Sequence, residues 1–454
     1  MRLEEIQKNK IARYQVIVLS LAETIILPVQ VTLLCLLTSV VLANEIEEIA
    51  PEQMGLSSDK LIPINQLAKR YVETQKVPGI QITVNRGGKI VLNTILGRRD
   101  FEDSTPLGKD DIYRIYSMTK PVTAVAAMQL YEQGKFEFDD PVAKYIPELE
   151  NLRVLEDGEF VPAERPITMH QILTHTAGFS YGFDLSDPVD RQYRDAKLWS
   201  SKDLDHFVEK LALLPLKYHP GTQWHYSVAA DLTGLVIERI SGIPLDQYLK
   251  VNVFEPLDMV DTSFAVPKEK LHRLLPSHIF DYRKMEPVPL NDFIDIFGYM
   301  QPNDAMYNYE SVTLFSGGGG LVSTTRDYMR FAEMLRAGGT LDGAQILRKK
   351  TIKEMTRNHL PASILARGTG EDIVRSSLAG YGFGLGFGVV IDPTATRSAV
   401  SKGTFMWGGA AATIFWVDPA EEIIVLGMMQ LLSSPYPFRE ELRKVVYESI
   451  KAVK

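Results

Sequence analysis

One cysteine, Cys35, is all the thiol chemistry this chain of 454 residues has, and it lies in an uncharged stretch near the N-terminus. Everything after that stretch is closed to disulfides, thiolate metal sites and cysteine nucleophiles. Concentrated positive charge is lacking as well. The chain has 49 Lys and Arg against 57 Asp and Glu, a formal charge of −8, and no basic run follows residue 50. That excludes non-specific nucleic-acid binding, which needs clustered cations. Histidine is sparse, with eight in all. His170 and His175 stand five apart and His219 and His225 six apart, without a His-Glu-x-x-His helix, so neither a metal nor another cofactor is expected. His175, followed by Thr, Ala and Gly, is expected to pin a helix end by hydrogen bonding. No fixed-period repeat is present, so a solenoid or propeller is set aside. The 45% apolar and 23% charged fractions are those of an ordinary globular protein, long enough for two lobes.

Residues 1–44 differ from the rest. Arg2, Lys8, Lys10 and Arg13 precede an uncharged run from Thr24 to Ala43. It ends in Val41-Leu42-Ala43, which a signal peptidase can cut, and it is also long enough to span a bilayer. Cleaved signal peptide and retained anchor both keep the positive flank inside and export the bulk of the chain, to the periplasm or beyond. In the second case residues 15–43 attach it to the membrane. Thr32-Leu33-Leu34 lacks the small residue that precedes a lipid-modified cysteine, so no lipoprotein is expected.

The hydrophobic pattern predicts an α/β (α+β) protein. Two β-rich runs flank Arg86-Gly87-Gly88-Lys89 as a hairpin. Small and apolar residues recur at helical spacing from Thr119 to a C-capping Gly134. Strands are expected at Tyr381–Ile391, Phe405–Val417 and Glu422–Gln430, the last two joined by a turn at Asp418-Pro419. A final amphipathic helix closes the chain. An antiparallel sheet built from both chain ends and flanked by helices follows, with an α/β lobe at 45–140 and 311–454. A mainly helical lobe at 141–310 is inserted in it.

Three serines compete as nucleophile. Ser117-Met118-Thr119-Lys120 places a hydroxyl and an amine one turn apart if a helix begins near residue 118. The helix start also offers N–H groups and positive potential where negative charge would develop, and Pro121 suits a first turn. Ser57-Ser58-Asp59-Lys60 has the same spacing, but it opens a helix and reads as an N-cap. Gly178-Phe179-Ser180-Tyr181-Gly182 matches a nucleophile elbow. That pattern needs a strand before it, whereas MHQILTHTAG reads as a helix ending at Gly178, so a C-cap and loop are expected.

The company of Ser117 decides between them. Downstream stand Leu173-Thr174-His175-Thr176-Ala177-Gly178-Phe179, then Tyr226-Ser227-Val228 leading into a helix, then FSGGGGLVSTTRD from Phe315. Last comes Trp407-Gly408-Gly409-Ala410 in a strand. With these in order, roughly residues 50 to 450 resemble the serine β-lactamase and penicillin-binding-protein superfamily. The nearest branch is that of class C β-lactamases and family VIII carboxylesterases. The resemblance implies a helical lobe packed on an α/β lobe with the site between them. It implies Ser117 as nucleophile, Lys120 as its base, Tyr226 as proton shuttle, and the backbone N–H groups of Ser117 and Ala410 as oxyanion hole. Trp407, Gly408 and Gly409 would line the substrate site. A lysine can act as base only when neutral, which burial favours.

Two departures bear on the substrate. Val228 stands where class C enzymes have Asn, and Trp407-Gly408-Gly409 where they have Lys-Thr-Gly. Trp and Gly cannot hold a β-lactam carboxylate by charge, and Lys402 lies five residues upstream. The expectation is a serine hydrolase acting through an acyl-enzyme on a small-molecule ester or amide, with a carboxylic ester favoured. A β-lactamase, a D-amino-acid peptidase and an acyltransferase would use the same residues. A non-catalytic binding protein of this fold would be free to lose one of Ser117, Lys120 and Tyr226, and all three are present. Nothing in the sequence specifies an oligomeric state.

Overall fold

The computed structural model describes residues 45–292, 309–366, 379–396 and 399–451. The leader or anchor reading for residues 1–44 lies outside them. Among the described residues no helix is long and apolar enough to cross a membrane. The described residues from Ile46 onward form one compact unit.

At its centre is a seven-stranded antiparallel sheet. Its strands are β1 (Gly79–Arg86), β2 (Lys89–Gly97), β3 (Tyr381–Phe383), β4 (Gly388–Val390), β5 (Phe405–Gly408), β6 (Ile414–Asp418) and β7 (Ile423–Met428), in the order β3-β4-β5-β6-β7-β1-β2. The two chain ends meet where β1 pairs with β7, in a register setting Gln81 opposite Met428. Every residue of β6 and β7 is buried, as expected of strands covered on both faces. The helices Ser58–Glu73 and Phe438–Lys451 pack on one another, the former also against β1 and β2, while Thr325–Arg336 packs against β6 and β7.

The helix Thr119–Glu132, α1 below, is buried at every position from Thr119 to Met128. A helix that is apolar or small all round belongs in a core, and Ala124, Ala126 and Ala127 let it pack closely against the helix Ala229–Ser241, α2 below. The inserted segment is less uniformly helical than its pattern suggests. Besides its helices it forms hairpins at Arg153–Pro162 and His278–Pro289, the second extended in parallel by Leu431–Leu432.

Three local expectations are corrected. The run 381–391 is two strands, β3 and β4, forming a hairpin. The run 405–417 is also two strands. It breaks after Gly408, turns through Gly409–Ala412 and returns as β6, with Ala412 at φ +66° and Gly409 N–H bonded to Thr413 O at 2.9 Å. Apolar residues on both sides of the small-residue turn keep the run apolar throughout, so hydropathy alone cannot see the reversal. The helix read from MHQILTHTAG is only Met169–Leu173. Thr174 Oγ1 bonds His170 O at 2.8 Å beside the backbone bond from the Thr174 N–H, and His175 leaves the helix at φ +55°.

Candidate active site

Ser117 lies in the short 3₁₀ turn Tyr116–Met118 that runs directly into α1. Tyr116 sits at φ +43°, a left-handed conformation that a bulky residue adopts only when its surroundings impose it. The turn is held by Met118 N–H to Ile115 O at 3.0 Å and by the buried Tyr328 hydroxyl, which donates to Met118 O at 2.9 Å. One turn on, Lys120 Nζ lies 3.2 Å from Ser117 Oγ and donates to Gly318 O at 2.6 Å. Lys120 as a whole is 2% exposed. Burial pulls its pKa down to about 7, against the nearby carboxylate of Asp231, which raises it.

Tyr226 reaches the same oxygen from the loop that precedes α2. Its hydroxyl lies 2.7 Å from Ser117 Oγ. Burial raises the phenol's pKa while the Ser117 bond works the other way, so at neutral pH Tyr226 is a proton-bearing donor. Its ring is walled by Trp407, His175 and Tyr181, at centroid distances of 5.4, 5.0 and 5.1 Å. Lys120 Nζ faces the rings of Tyr226 and Tyr181 at 4.6 and 5.2 Å.

The end of β5 forms the opposite wall. Gly408, Gly409 and Ala410 border the cavity of about 530 Å³ onto which Ser117 opens. Ala410 sits in the turn after β5 rather than in a strand, and among the described residues its amide has no hydrogen-bond partner. Gly409 is needed for the approach, since a Cβ there would lie 2.3 Å from Ile115 O. Trp407 is only 5% exposed and packs edge-on against Phe383, so it braces Tyr226 more than it offers open surface.

The cleft has cations, but Lys402, the one considered from the sequence, is not among them. Arg439 and Arg443, one helical turn apart on the last helix, both line the cavity, whereas Lys402 is exposed. Arg439 spends Nη2 on the carbonyls of Gly409 and Thr413, clamping the turn that carries Ala410, and burial lowers its pKa to about 10. Their spacing of four was legible in the sequence, but the approach of the C-terminal helix to β5 was not. Tyr181 was read only as part of a false elbow, and Asp231, buried five residues after Tyr226, went unread.

The rival serines are elsewhere. Ser180 is fully buried, with Oγ 2.5 Å from Asp190 Oδ1 and 3.3 Å from His225 Nε2. The glycines that mimic an elbow serve the loop. Gly178 has φ +93° and no room for a Cβ against Tyr218 O, and Gly182 has φ +74°. Ser57 occupies the N-cap position before Ser58–Glu73, but its side chain makes no capping bond. The Ser58 N–H goes instead to Glu52 Oε1 at 2.8 Å. The histidine pairs do not meet as spaced. His170 Nε2 lies 3.0 Å from His359 Nδ1, and His219 lies 3.7 Å from Glu156. His175 pins the neighbouring loop, its Nδ1 lying 3.4 Å from both Ser227 Oγ and Ser227 N. Among the described residues no three His, Cys, Asp or Glu side chains converge on a metal position.

Comparison with known proteins gives the family. An uncharacterised protein of Mycobacterium tuberculosis is 35% identical over 348 residues, 74% of this chain and 81% of that one. Esterase EstB of Burkholderia gladioli is 30% identical over 396 residues, 82% of this chain and 91% of that one. Among solved structures, EstCE1, described as a hydrolase with promiscuous acyltransferase activity, superposes with a TM-score of 0.72 at 25% identity, covering 86% of this chain and 98% of that one. The β-lactamase family model matches residues 64–447, and with the esterase among its relatives the chain belongs to the β-lactamase family and is a serine hydrolase.

Proposed function

We propose that the enzyme cleaves carboxylic esters through an acyl-enzyme on Ser117. Neutral Lys120 takes the Ser117 proton as Oγ bonds the ester carbonyl carbon. The N–H groups of Ser117 and Ala410 receive the oxyanion. As the tetrahedral species collapses, the alkoxide leaves with a proton passed from the Lys120 ammonium through the Tyr226 hydroxyl. Water then repeats the steps in reverse order of roles and releases the acid. The reading is carried by one observation, the convergence of Lys120 at 3.2 Å and Tyr226 at 2.7 Å on a single hydroxyl oxygen at a cavity wall. A fluorophosphonate probe should label Ser117, located by peptide mapping, and abolish hydrolysis of a nitrophenyl acetate in proportion. Label on any other residue, with activity lost, overturns the reading.

A second reading is acyl transfer to an alcohol, favoured by the aromatic lining of Tyr181, Trp199 and Tyr226, which suits an apolar acceptor. Added butanol would then divert the acyl group to butyl ester faster than its molar share predicts. The uncharged run from Thr24 to Ala43 supports export of this site, and N-terminal sequencing of protein from the cell envelope tells cleavage from anchoring.

A further inference from the structure

The steps above leave unused a fully buried acid close to the Lys120 amine. Asp231 lies in the first turn of α2, five residues after Tyr226. Its Oδ1 accepts from Ser316 Oγ at 2.5 Å and from Gly318 N–H at 3.0 Å. Its Oδ2 is buried and has no hydrogen-bond partner among the described residues. Gly318 is the residue whose carbonyl receives Lys120 Nζ at 2.6 Å. The peptide between Gly317 and Gly318 is held at both ends, by Thr123 Oγ1 on the Gly317 carbonyl at 2.8 Å and by Asp231 on the Gly318 N–H. No side chain fits there, since a Cβ on Gly318 would stand 2.5 Å from Asp231 Oδ2 and 2.9 Å from the Tyr181 hydroxyl.

Around the Lys120 amine stand Ser117, the Gly318 carbonyl and the Tyr181 and Tyr226 rings, and among the described residues Asp231 is the one acid that acts on it. We propose that Asp231 is a positioning residue of this site: it fixes Gly318 so that the carbonyl aims the Lys120 amine at Ser117, and it supplies the negative charge behind that amine. The inference rests on the reading of Lys120 as base. A desolvated amine without a counter-charge stays neutral down to about pH 5–6, and is then too weak a base to accept a serine proton well. A carboxylate nearby restores basicity without forming the direct ion pair that would keep the amine protonated. Burial raises the pKa of Asp231 itself, while Lys120, the bonds from Ser316 and Gly318, and the helix N-terminus favour its anion.

The test is the pH dependence of fluorophosphonate acylation of Ser117 in the full-length enzyme, alongside the neutral variants Asp231→Asn and Asp231→Ser. For the wild type, a limb rising with pH and centred near 7 is expected. For each folded variant that midpoint should fall by about one unit or more, because losing the negative charge makes the ammonium less favourable. The plateau rate should fall about 10- to 100-fold as the base weakens and loses its aim. A lower plateau with an unmoved midpoint makes Asp231 merely structural and overturns the inference. So does a wild-type midpoint below about pH 5, which a supported amine would not show; this arm needs no variant to fold. Failure of the wild type to label at Ser117 sinks the reading of the site instead, which keeps the two outcomes apart.

Discussion

Two serines of this protein sit in networks made of nearly the same parts. Ser117 has Lys120 beside it and Asp231 behind. Ser180 has Asp190 beside it and Lys217 behind, the lysine 3.2 Å from Asp190 and 3.1 Å from Asp187, with His225 in reach. The difference is which partner touches the hydroxyl. At Ser117 the amine does, its carboxylate standing off behind Gly318, and burial brings the lysine down to about 7. At Ser180 the carboxylate touches the hydroxyl directly, and the lysine has two carboxylates at contact distance. Burial works to lower Lys217, but Asp190 and Asp187 outweigh it and the pKa rises. One arrangement leaves an amine of lowered pKa beside a cavity, the other an ion-paired knot around a fully buried hydroxyl. Residue types alone do not make a catalytic site; order of contact and access do.

The sharpest way to break this comparison is to exchange the serines' fates. Ser117→Ala should lower kcat/KM on a nitrophenyl ester by at least about 10³-fold with little change in Tm. Ser180→Ala should retain most activity but lose about 1–3 kcal/mol of stability, because Asp190 is left buried with one donor fewer. A dead but folded Ser180→Ala enzyme, with Ser117→Ala active, would reverse the assignment.

The lysines give the next contrast. Lys120→Met should cost about 10²–10⁴-fold in kcat, the usual worth of a positioned base. In the unaltered enzyme kcat/KM should rise with pH through a midpoint near 7 as Lys120 loses its proton, falling about tenfold per unit below it. Lys217→Met should leave that profile in place and cost stability instead, about 3 kcal/mol, the low end for breaking a buried pair since Asp187 keeps some solvent. Chemical denaturation and a pH–rate series on both variants separate the two effects.

Most of the comparison's Ser117 side was legible in the sequence. Ser117 and Lys120 are neighbours on a helix, so their meeting is a local matter, and the ordered company of Tyr226 and the Trp407 strand pointed to the rest. What escaped were contacts between distant segments. Asp231 reaches Lys120 only through a glycine 87 positions on, and Arg439 reaches the Ala410 turn only because the last helix packs near β5. The turn itself was hidden inside an apolar run: Gly408-Gly409 is a turn signal, but the three alanines after it and the apolar residues on both sides kept the run apolar throughout. Ser180 was set aside for its helical lead. The structure gives the fuller reason, a hydroxyl already committed to a carboxylate.

The smallest expected effect tests whether the strained turn at Ser117 must be held. Tyr116 at φ +43° keeps that conformation only while its neighbours oppose relaxation. The Tyr328 hydroxyl on Met118 O is one such restraint, reaching from Thr325–Arg336, the helix packed on β6 and β7. Tyr328→Phe removes a single oxygen and leaves the ring packed against Phe331 and Phe415. Stability should fall by about 1 kcal/mol, the net worth of one buried hydrogen bond. If the restraint also aims Ser117, kcat should fall about 3- to 10-fold with KM nearly unchanged, since displacement of the attacking oxygen is felt in the transition state. The matching restraint in the Ser180 loop is Arg194 Nε on Gly182 O at 3.1 Å. Arg194→Met should cost mainly stability, with kcat falling less than in Tyr328→Phe, because Tyr181 and Phe183 of that loop line the cavity but the loop holds neither Ser117 nor Lys120. Equal kcat losses in the two variants would mean that strain at Tyr116 is incidental and that both loops act only through the stability of the fold.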